Sequence, residues 1–309
     1  MSVAAAADRP GTAATAARFS PQWIAGRLSG VVLHLAVIGL TVAWMVPTIG
    51  ILFTSFRPFT AINSSGWWLA LSPPFQFTLD NYSKVLSTSN LGHSFFNSFM
   101  ISIPATIIPV AIAAFAAYAF AWMKFPFRDW IFLAIVGVLA IPLQLSFVPV
   151  LSFFVAHGIT PSALPPGLQY LPVWLAHTGY GLPFSIYLLA NFFRALPSEL
   201  FESAEIDGAG TLTVFFRIVL PLSVPALASL VIFQFLWIWN DLLVALIYVG
   251  GQPEVAPLTV TLANLTNSYG QGYHLLTAAA FFSMFVPLIV FLSLQRYFVR
   301  GILAGSVKG

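Results

Sequence analysis

Residues 197–222 read PSELFESAEIDGAGTLTVFFRIVLPL and hold four of the chain's nine acidic residues, Glu199, Glu202, Glu205 and Asp207. Apolar runs flank this stretch on both sides, and from Trp130 to Phe193 there is no Lys, Arg, Asp or Glu. A helix opening at Ser198 puts Glu199, Glu202 and Glu205 on one stripe, with Leu200, Phe201 and Ala204 on the roughly opposite one. Pro197 and Ser198 suit a helix start, acids in the first turn complement the dipole, and Gly208 is a natural left-handed terminator. A second helix is predicted from near Thr211, interrupted at Pro221. The stretch thus reads as a short helix lying crosswise at a membrane surface, acidic on one side. Interfacial helices normally turn Lys and Arg toward lipid headgroups, and anionic lipid repels an acidic one. A protein partner is the better match.

Of 309 residues, 59% are hydrophobic and only 7% charged, too few charges to cover a soluble domain. The chain is read as an all-α membrane protein. With no basic cluster, nucleic acid is excluded as a partner. With no cysteine, disulfides, thiolate metal sites and a cysteine nucleophile are excluded too. A crossing takes roughly 20 apolar residues, and six transmembrane helices are predicted, at about 31–56, 94–122, 130–155, 175–193, 222–247 and 275–295. The Gly and Pro cluster between Gly158 and Gly167 splits the uncharged run into two of them. Ten of the twelve basic residues (Arg9, Arg18, Arg27, Lys124, Arg128, Arg194, Arg217, Arg296, Arg300 and Lys308) then lie on one side, leaving Arg57 and Lys84 on the other. By the positive-inside rule both termini and the acidic stretch face the cytoplasm. The expected organisation is a disordered cytoplasmic tail over 1–30, a first transmembrane helix plus external loop over 31–92, a five-helix core over 93–297, and a cytoplasmic C-terminal tail over 298–309. Prolines inside the spans, Pro104, Pro109, Pro183 and Pro287 among them, bend helices either as general curvature or along a pathway that opens and closes.

Glu202-Ser203-Ala204, two residues, Asp207-Gly208-Ala209, and then Ile218-Val219-Leu220-Pro221 resemble the cytoplasmic coupling motif of membrane subunits of bacterial ATP-binding-cassette importers. Ser203 stands where alanine is usual. Other segments resemble the carbohydrate branch of that family, in particular the maltose-type permease that partners a second, non-identical permease and, within it, permeases for α-glucosides and small oligosaccharides. They are Asp80-Asn81-Tyr82, Asn97-Ser98, Leu182-Pro183-Phe184 at the start of the fourth span, Trp239-Asn240-Asp241, and the terminus from Gln295 to Gly309.

The resemblance implies a type I importer permease fold in the bacterial cytoplasmic (inner) membrane. It implies an ATPase dimer that grips a coupling helix at 198–208, an external solute-binding protein, and a sugar as cargo. Glu199, Glu202, Ser203, Ala204, Asp207, Gly208, Ala209, Ile218, Leu220 and Pro221 are the expected coupling residues. ATP and Mg2+ belong to the partner ATPase, since this chain has no Gly-x-x-x-x-Gly-Lys-Ser/Thr loop and binds no cofactor itself. In such relatives the last external loop contacts the binding protein, which implicates Asn264, Asn267, Tyr269, Gln271 and Tyr273, residues that also suit a wet polar interface.

Asn97, Trp239, Asn240 and Asp241 are candidates for the translocation pathway. An ionisable group in an apolar run is functional by default, although an interfacial Asn-Asp pair beside Trp239 would look the same. The five histidines (His34, His93, His157, His177 and His274) are read as mostly interfacial, with no metal-ligand spacing. A non-sugar cargo is an alternative. An ion-coupled secondary transporter is another. It needs intramembrane carboxylates, which the interiors of the first four spans lack, or discontinuous helices at matching positions of two repeats, and the sequence shows no convincing repeat. No hydrolase motif supports an intramembrane enzyme.

Overall fold

A computed structural model describes residues 21–88, 90–265 and 272–306, and among them there are helices and turns but no strand. In chain order the helices are α1 (Pro21–Ser55), α2 (Phe59–Ser64), α3 (Asp80–Thr88), α4 (Leu91–Trp122), α5 (Arg128–Val138), α6 (Phe147–Ala156) and α7 (Leu171–Arg194). They continue with α8 (Ser198–Ile206), α9 (Thr211–Leu222), α10 (Val224–Trp239), α11 (Leu243–Tyr248), α12 (Leu258–Ala263) and α13 (Tyr273–Ser306).

Three helices, within α1, α4 and α13, are long and apolar enough to cross a membrane. Two bent pairs, α5 with the segment through α6 and α9 with α10, bring that to as many as five among the described residues. The predicted third span is therefore not one straight helix: it turns by 94° between Val138 and Leu143. Pro142 lacks an amide donor and disfavours helix in the residue before it, so the chain tightens into short-range bonds and restarts. The fourth predicted span is α7, 24 residues long. Its run His177-Thr178-Gly179-Tyr180-Gly181 is too polar for a lipid-facing span, and the helix is shielded by its neighbours. Leu182-Pro183-Phe184 lies in the middle of α7 rather than at its start.

The predicted fifth span, 222–247, is corrected twice. It bends by 74° at Ser223 and stops at Trp239 before α11 begins. A π-type turn over Phe215–Val219 precedes the bend. Pro221 cannot donate to the turn below it, and a widened turn is one way a helix absorbs that loss. Helix α1 begins at Pro21, inside the predicted tail, and α13 runs to Ser306, inside the C-terminal one.

Helices α4 and α7 form the centre. Ala105, Ala113 and Ala117 of α4 and Ala190 of α7 are fully buried, and such small side chains let two helices approach closely. One core joins α4, α7, α8, α9 and α10 through Phe193, Phe215, Val219 and Leu230. A second, at the other end of α4 and α7, takes in α6 and α11 through Phe147, Val173 and Tyr248. A third seats α13 and α3 on α10 through Val85, Trp239 and Ala278. By contrast, most α1 residues from Val31 to Val46 are exposed, as on a helix bathed in lipid or awaiting a neighbour.

Candidate functional site

The acidic helix α8 is held by one face and free on the other. Ala204 is buried, and Phe201 stacks on Trp122 of α4 with ring centroids 3.5 Å apart. The Trp122 indole N–H is itself fixed, donating to the Phe193 carbonyl at 2.9 Å. Glu199, Glu202, Ser203, Glu205, Ile206 and Asp207 are all exposed. The Ser203 hydroxyl turns back to the Glu199 carbonyl at 2.8 Å, so a serine in place of alanine satisfies itself within the helix.

The helix ends in a left-handed cap. Gly208 has φ +74, its N–H bonds the Glu205 carbonyl at 3.0 Å, and the Ala209 N–H bonds the Ala204 carbonyl at 2.9 Å. These are the paired bonds of a Schellman turn, and Ala209 packs into the same core as Ala204. The chain then reverses into α9, where the Tyr118 hydroxyl reaches the Thr211 carbonyl at 3.4 Å. Ile218 and Leu220 pack inward against that core, and Pro221 faces out. A partly open cavity of about 450 Å3 lies between this elbow and α4, lined by Tyr118, Trp122, Phe201, Glu202, Glu205 and Thr211. The structure thus brings the ten motif residues together in one elbow with its carboxylates outward.

The four pathway candidates are not gathered round one opening. Asn97 is fully buried, and its amide is already engaged. It donates to the carbonyls of Glu254 and Ala256 at 3.1 and 3.0 Å and accepts from the Tyr170 hydroxyl at 2.6 Å. It clamps the loop before α12 to α4. Trp239 is buried against Phe95, Phe99 and Phe235, and its N–H donates to the Ser283 carbonyl. Asn240 is exposed and caps back onto Leu236 at 2.7 Å.

Asp241 is a junction. Its Oδ2 accepts from the Ala245 amide at 3.1 Å, capping α11, and its carbonyl accepts from the Thr259 hydroxyl of α12 at 2.7 Å. The carboxylate Oδ2 also lies 3.8 Å from His177 Nε2 on α7.

His177 is the residue that sequence reading placed wrongly. It is fully buried rather than interfacial, neither ring nitrogen has a hydrogen-bond partner, and its ring stands edge-on to Trp237. One turn along α7, Gly181 makes room for Gln234, whose Nε2 is likewise buried without a partner. A seam of incompletely satisfied polar groups therefore runs between α7 and α10. The sequence signal was available: His177 and Gly181 are four apart on one helix face, as are Gln234 and Trp237 at three.

Of the loop candidates, Asn264 and Tyr273 are exposed, while Asn267, Tyr269 and Gln271 lie outside the described residues. His93 bonds the Glu254 carbonyl and His274 packs on Phe59. Among the described residues no three His, Asp or Glu side chains gather as a metal ion would require.

Comparison with known proteins supplies the setting. Residues 110–304 match the family model described as "Binding-protein-dependent transport system inner membrane component". The osmoprotective compounds uptake permease protein GgtD of Synechocystis sp. is 52% identical over 279 residues, covering 89% of this chain and 91% of that protein. The α-glucoside transport system permease protein AglG of Rhizobium meliloti is also 52% identical, over 79% of this chain and 63% of that protein. The melibiose/raffinose/stachyose import permease protein MelC of Bacillus subtilis is 31% identical over 76% of this chain and 83% of that protein. Among solved structures, a bacterial ABC transporter for import of the polysaccharide alginate matches with a TM-score of 0.74 at 19% identity, over 91% of this chain and 99% of that one. A second structure, of an alginate transporter with its pentasaccharide-bound periplasmic protein, matches with a TM-score of 0.61 at 16% identity, over 88% of this chain and 95% of that one.

Proposed function

This chain belongs to the family of inner-membrane components of binding-protein-dependent transport systems, and from that premise we propose that it is one membrane half of an ATP-driven importer of small oligosaccharides. The observation that carries this reading is the elbow at α8. A short helix with exposed carboxylates, pinned to the bundle by Phe201 and a Schellman turn, is built to be pushed.

In this reading six crossings put both termini and α8 in the bacterial cytoplasm, with α7 as the shielded fourth crossing. ATP closes a separate ATPase dimer, and the elbow moves with it. The bundle then tilts against a second, non-identical permease and opens a path to an external solute-binding protein, and hydrolysis resets it. Glu199, Glu202 and Asp207 serve as docking charges, Ala204, Gly208 and Ala209 shape the turn, and Ile218, Leu220 and Pro221 carry the motion into α9. The permease supplies no catalytic group of its own.

The relatives named for α-glucosides and for melibiose, raffinose and stachyose favour a di- or oligosaccharide cargo. A second reading, an osmoprotective compound, rests on the relative named for such compounds, which is 52% identical over 89% of this chain. Uptake by proteoliposomes holding both permeases, the ATPase and the binding protein tests both readings. It should need internal ATP and ignore a proton uncoupler, and competition by α-glucosides against osmoprotective solutes identifies the cargo. Uptake that persists without ATP and collapses with the uncoupler overturns the proposal.

A further inference from the structure

Arg57, just beyond α1, is 3% exposed. Its guanidinium donates to the Ser65 carbonyl at 2.9 Å, to the Ala61 carbonyl at 3.0 Å and to the Ser65 hydroxyl, while Nε has no partner. These acceptors close the end of α2, and all of them are neutral. Among the described residues the carboxylates close to a basic side chain are Asp129, beside Arg128, and Asp241, 3.8 Å from the His177 ring, so none answers this buried charge. A buried charge with no counter-charge is costly.

Beside it opens a partly open cavity of about 190 Å3 lined by Arg57, Ser65, Ala70, Ser72, Pro73 and Gln76 among others. In the same segment Trp68, Leu71, Phe75 and Leu79 are each more than half exposed. An apolar surface around a desolvated arginine is the anatomy of a protein-binding hot spot.

We propose that this cavity receives a carboxylate side chain of the external solute-binding protein, with Arg57 as the buried anchor. The inference rests on the proposed orientation, which puts residues 57–90 outside. A lipid phosphate fits less well, since headgroup sites gather several basic side chains and only one lines this cavity. A single guanidinium suits a single carboxylate.

Gln76 provides the test, because it lines the same cavity and Gln76→Glu puts a carboxylate there without altering Arg57 or the residues it bonds. The assay uses the complete transporter in liposomes with the binding protein that restores its substrate-dependent ATP hydrolysis. Gln76→Glu should raise the half-saturating concentration of that binding protein by about tenfold, and the neutral Gln76→Met should stay within about twofold. Neutralising one acidic residue of the binding protein should cost a similar factor with wild type and little more with Gln76→Glu. Equal behaviour of the Glu and Met variants overturns the site. So does a Glu effect that vanishes in liposomes without anionic lipid, which would make the occupant a phosphate. The chain has no cysteine, so Gln76→Cys reports orientation separately. Labelling from the outside supports it, and labelling only from the inside overturns both the orientation and this site.

Discussion

Substitution at Gly208 separates the shape of the elbow from its charge. A Cβ added there meets nothing within 4 Å, so the cost comes from φ +74 alone. For an ordinary L-residue that is about 1–2 kcal/mol. The elbow is held by the two Schellman bonds, worth about 1 kcal/mol each, and by the Phe201–Trp122 stack, worth about 1 kcal/mol beyond its buried area. Gly208→Ala therefore removes part of the margin and leaves the turn mostly formed. Uptake should fall by less than about tenfold, since each 1.4 kcal/mol is a factor of ten in an equilibrium. Gly208→Asn tolerates the left-handed conformation better and should lie between Gly and Ala. Gly208→Asp adds a carboxylate beside Asp207 and Glu205 on the face left open for a partner, and it should abolish uptake while the subunit stays in the membrane. The assay is ATP-dependent uptake normalised to permease abundance, with crosslinking between α8 and the ATPase as a second readout. If Gly208→Asp transports and couples ATP hydrolysis like wild type at normal abundance, α8 is not the surface the ATPase grips. If Ala fails as completely as Asp, the turn alone decides and the charge does nothing.

Gly181→Ala should lower stability by about 1–3 kcal/mol as an overpacked contact, because its Cβ would sit 2.4 Å from Gln234 Nε2 and Gln234 is only 1% exposed. The double variant with Gln234→Ala should recover most of that loss in a thermal melt of the detergent-solubilised complex, and failure to recover would mean that the α7–α10 contact is not the cause. Asn97→Leu should cost about 2–4 kcal/mol by stranding the Glu254 and Ala256 carbonyls and the Tyr170 hydroxyl. Protease nicking in the loop over residues 250–257 should rise with it, whereas unchanged melting and cleavage would show that the clamp is dispensable.

The elbow was legible because it is local. Its cap, its acidic stripe and its reversal use neighbours within a few residues, and Gly208 can be assigned a left-handed turn without knowing what lies above it. Apolar length located the long helices within α1, α4 and α13 for a similar reason: lipid acts on each segment independently. What stayed hidden was tertiary. Asn97 looked like a pathway residue because an amide in an apolar helix needs partners, and the sequence does not say that two carbonyls more than 150 residues away supply them. His177 looked interfacial by its position in the chain, but the polar run around it is sheltered by α10 and α11. Prolines marked where helices could break without ranking the breaks: Pro104 and Pro109 sit inside an unbroken α4, whereas Pro142 coincides with a 94° turn.

The breaks around α10 give the proposed mechanism its mechanical sense. This helix of 16 residues is bent 74° from α9 at one end and stops at Asn240 at the other, so it is a strut jointed at both ends. At about 1.5 Å per residue it spans roughly 24 Å, most of the hydrocarbon thickness. Along the strut the contact with α7 is polar and unfinished, with His177 and Gln234 holding unpartnered nitrogens. A dry apolar interlock resists sliding, because each contact is lost before the next is made. Groups already short of partners lose less when the strut shifts and have bonds to gain in the new register. At its far end Asp241 ties α11 and α12 together, so a displacement entering at the elbow arrives as a movement of two short helices rather than of one side chain. Replacing His177 and Gln234 together by leucine would convert the seam into an interlock. It should slow the ATP-driven cycle while raising the melting temperature, two effects of opposite sign that simple damage to the fold would not produce.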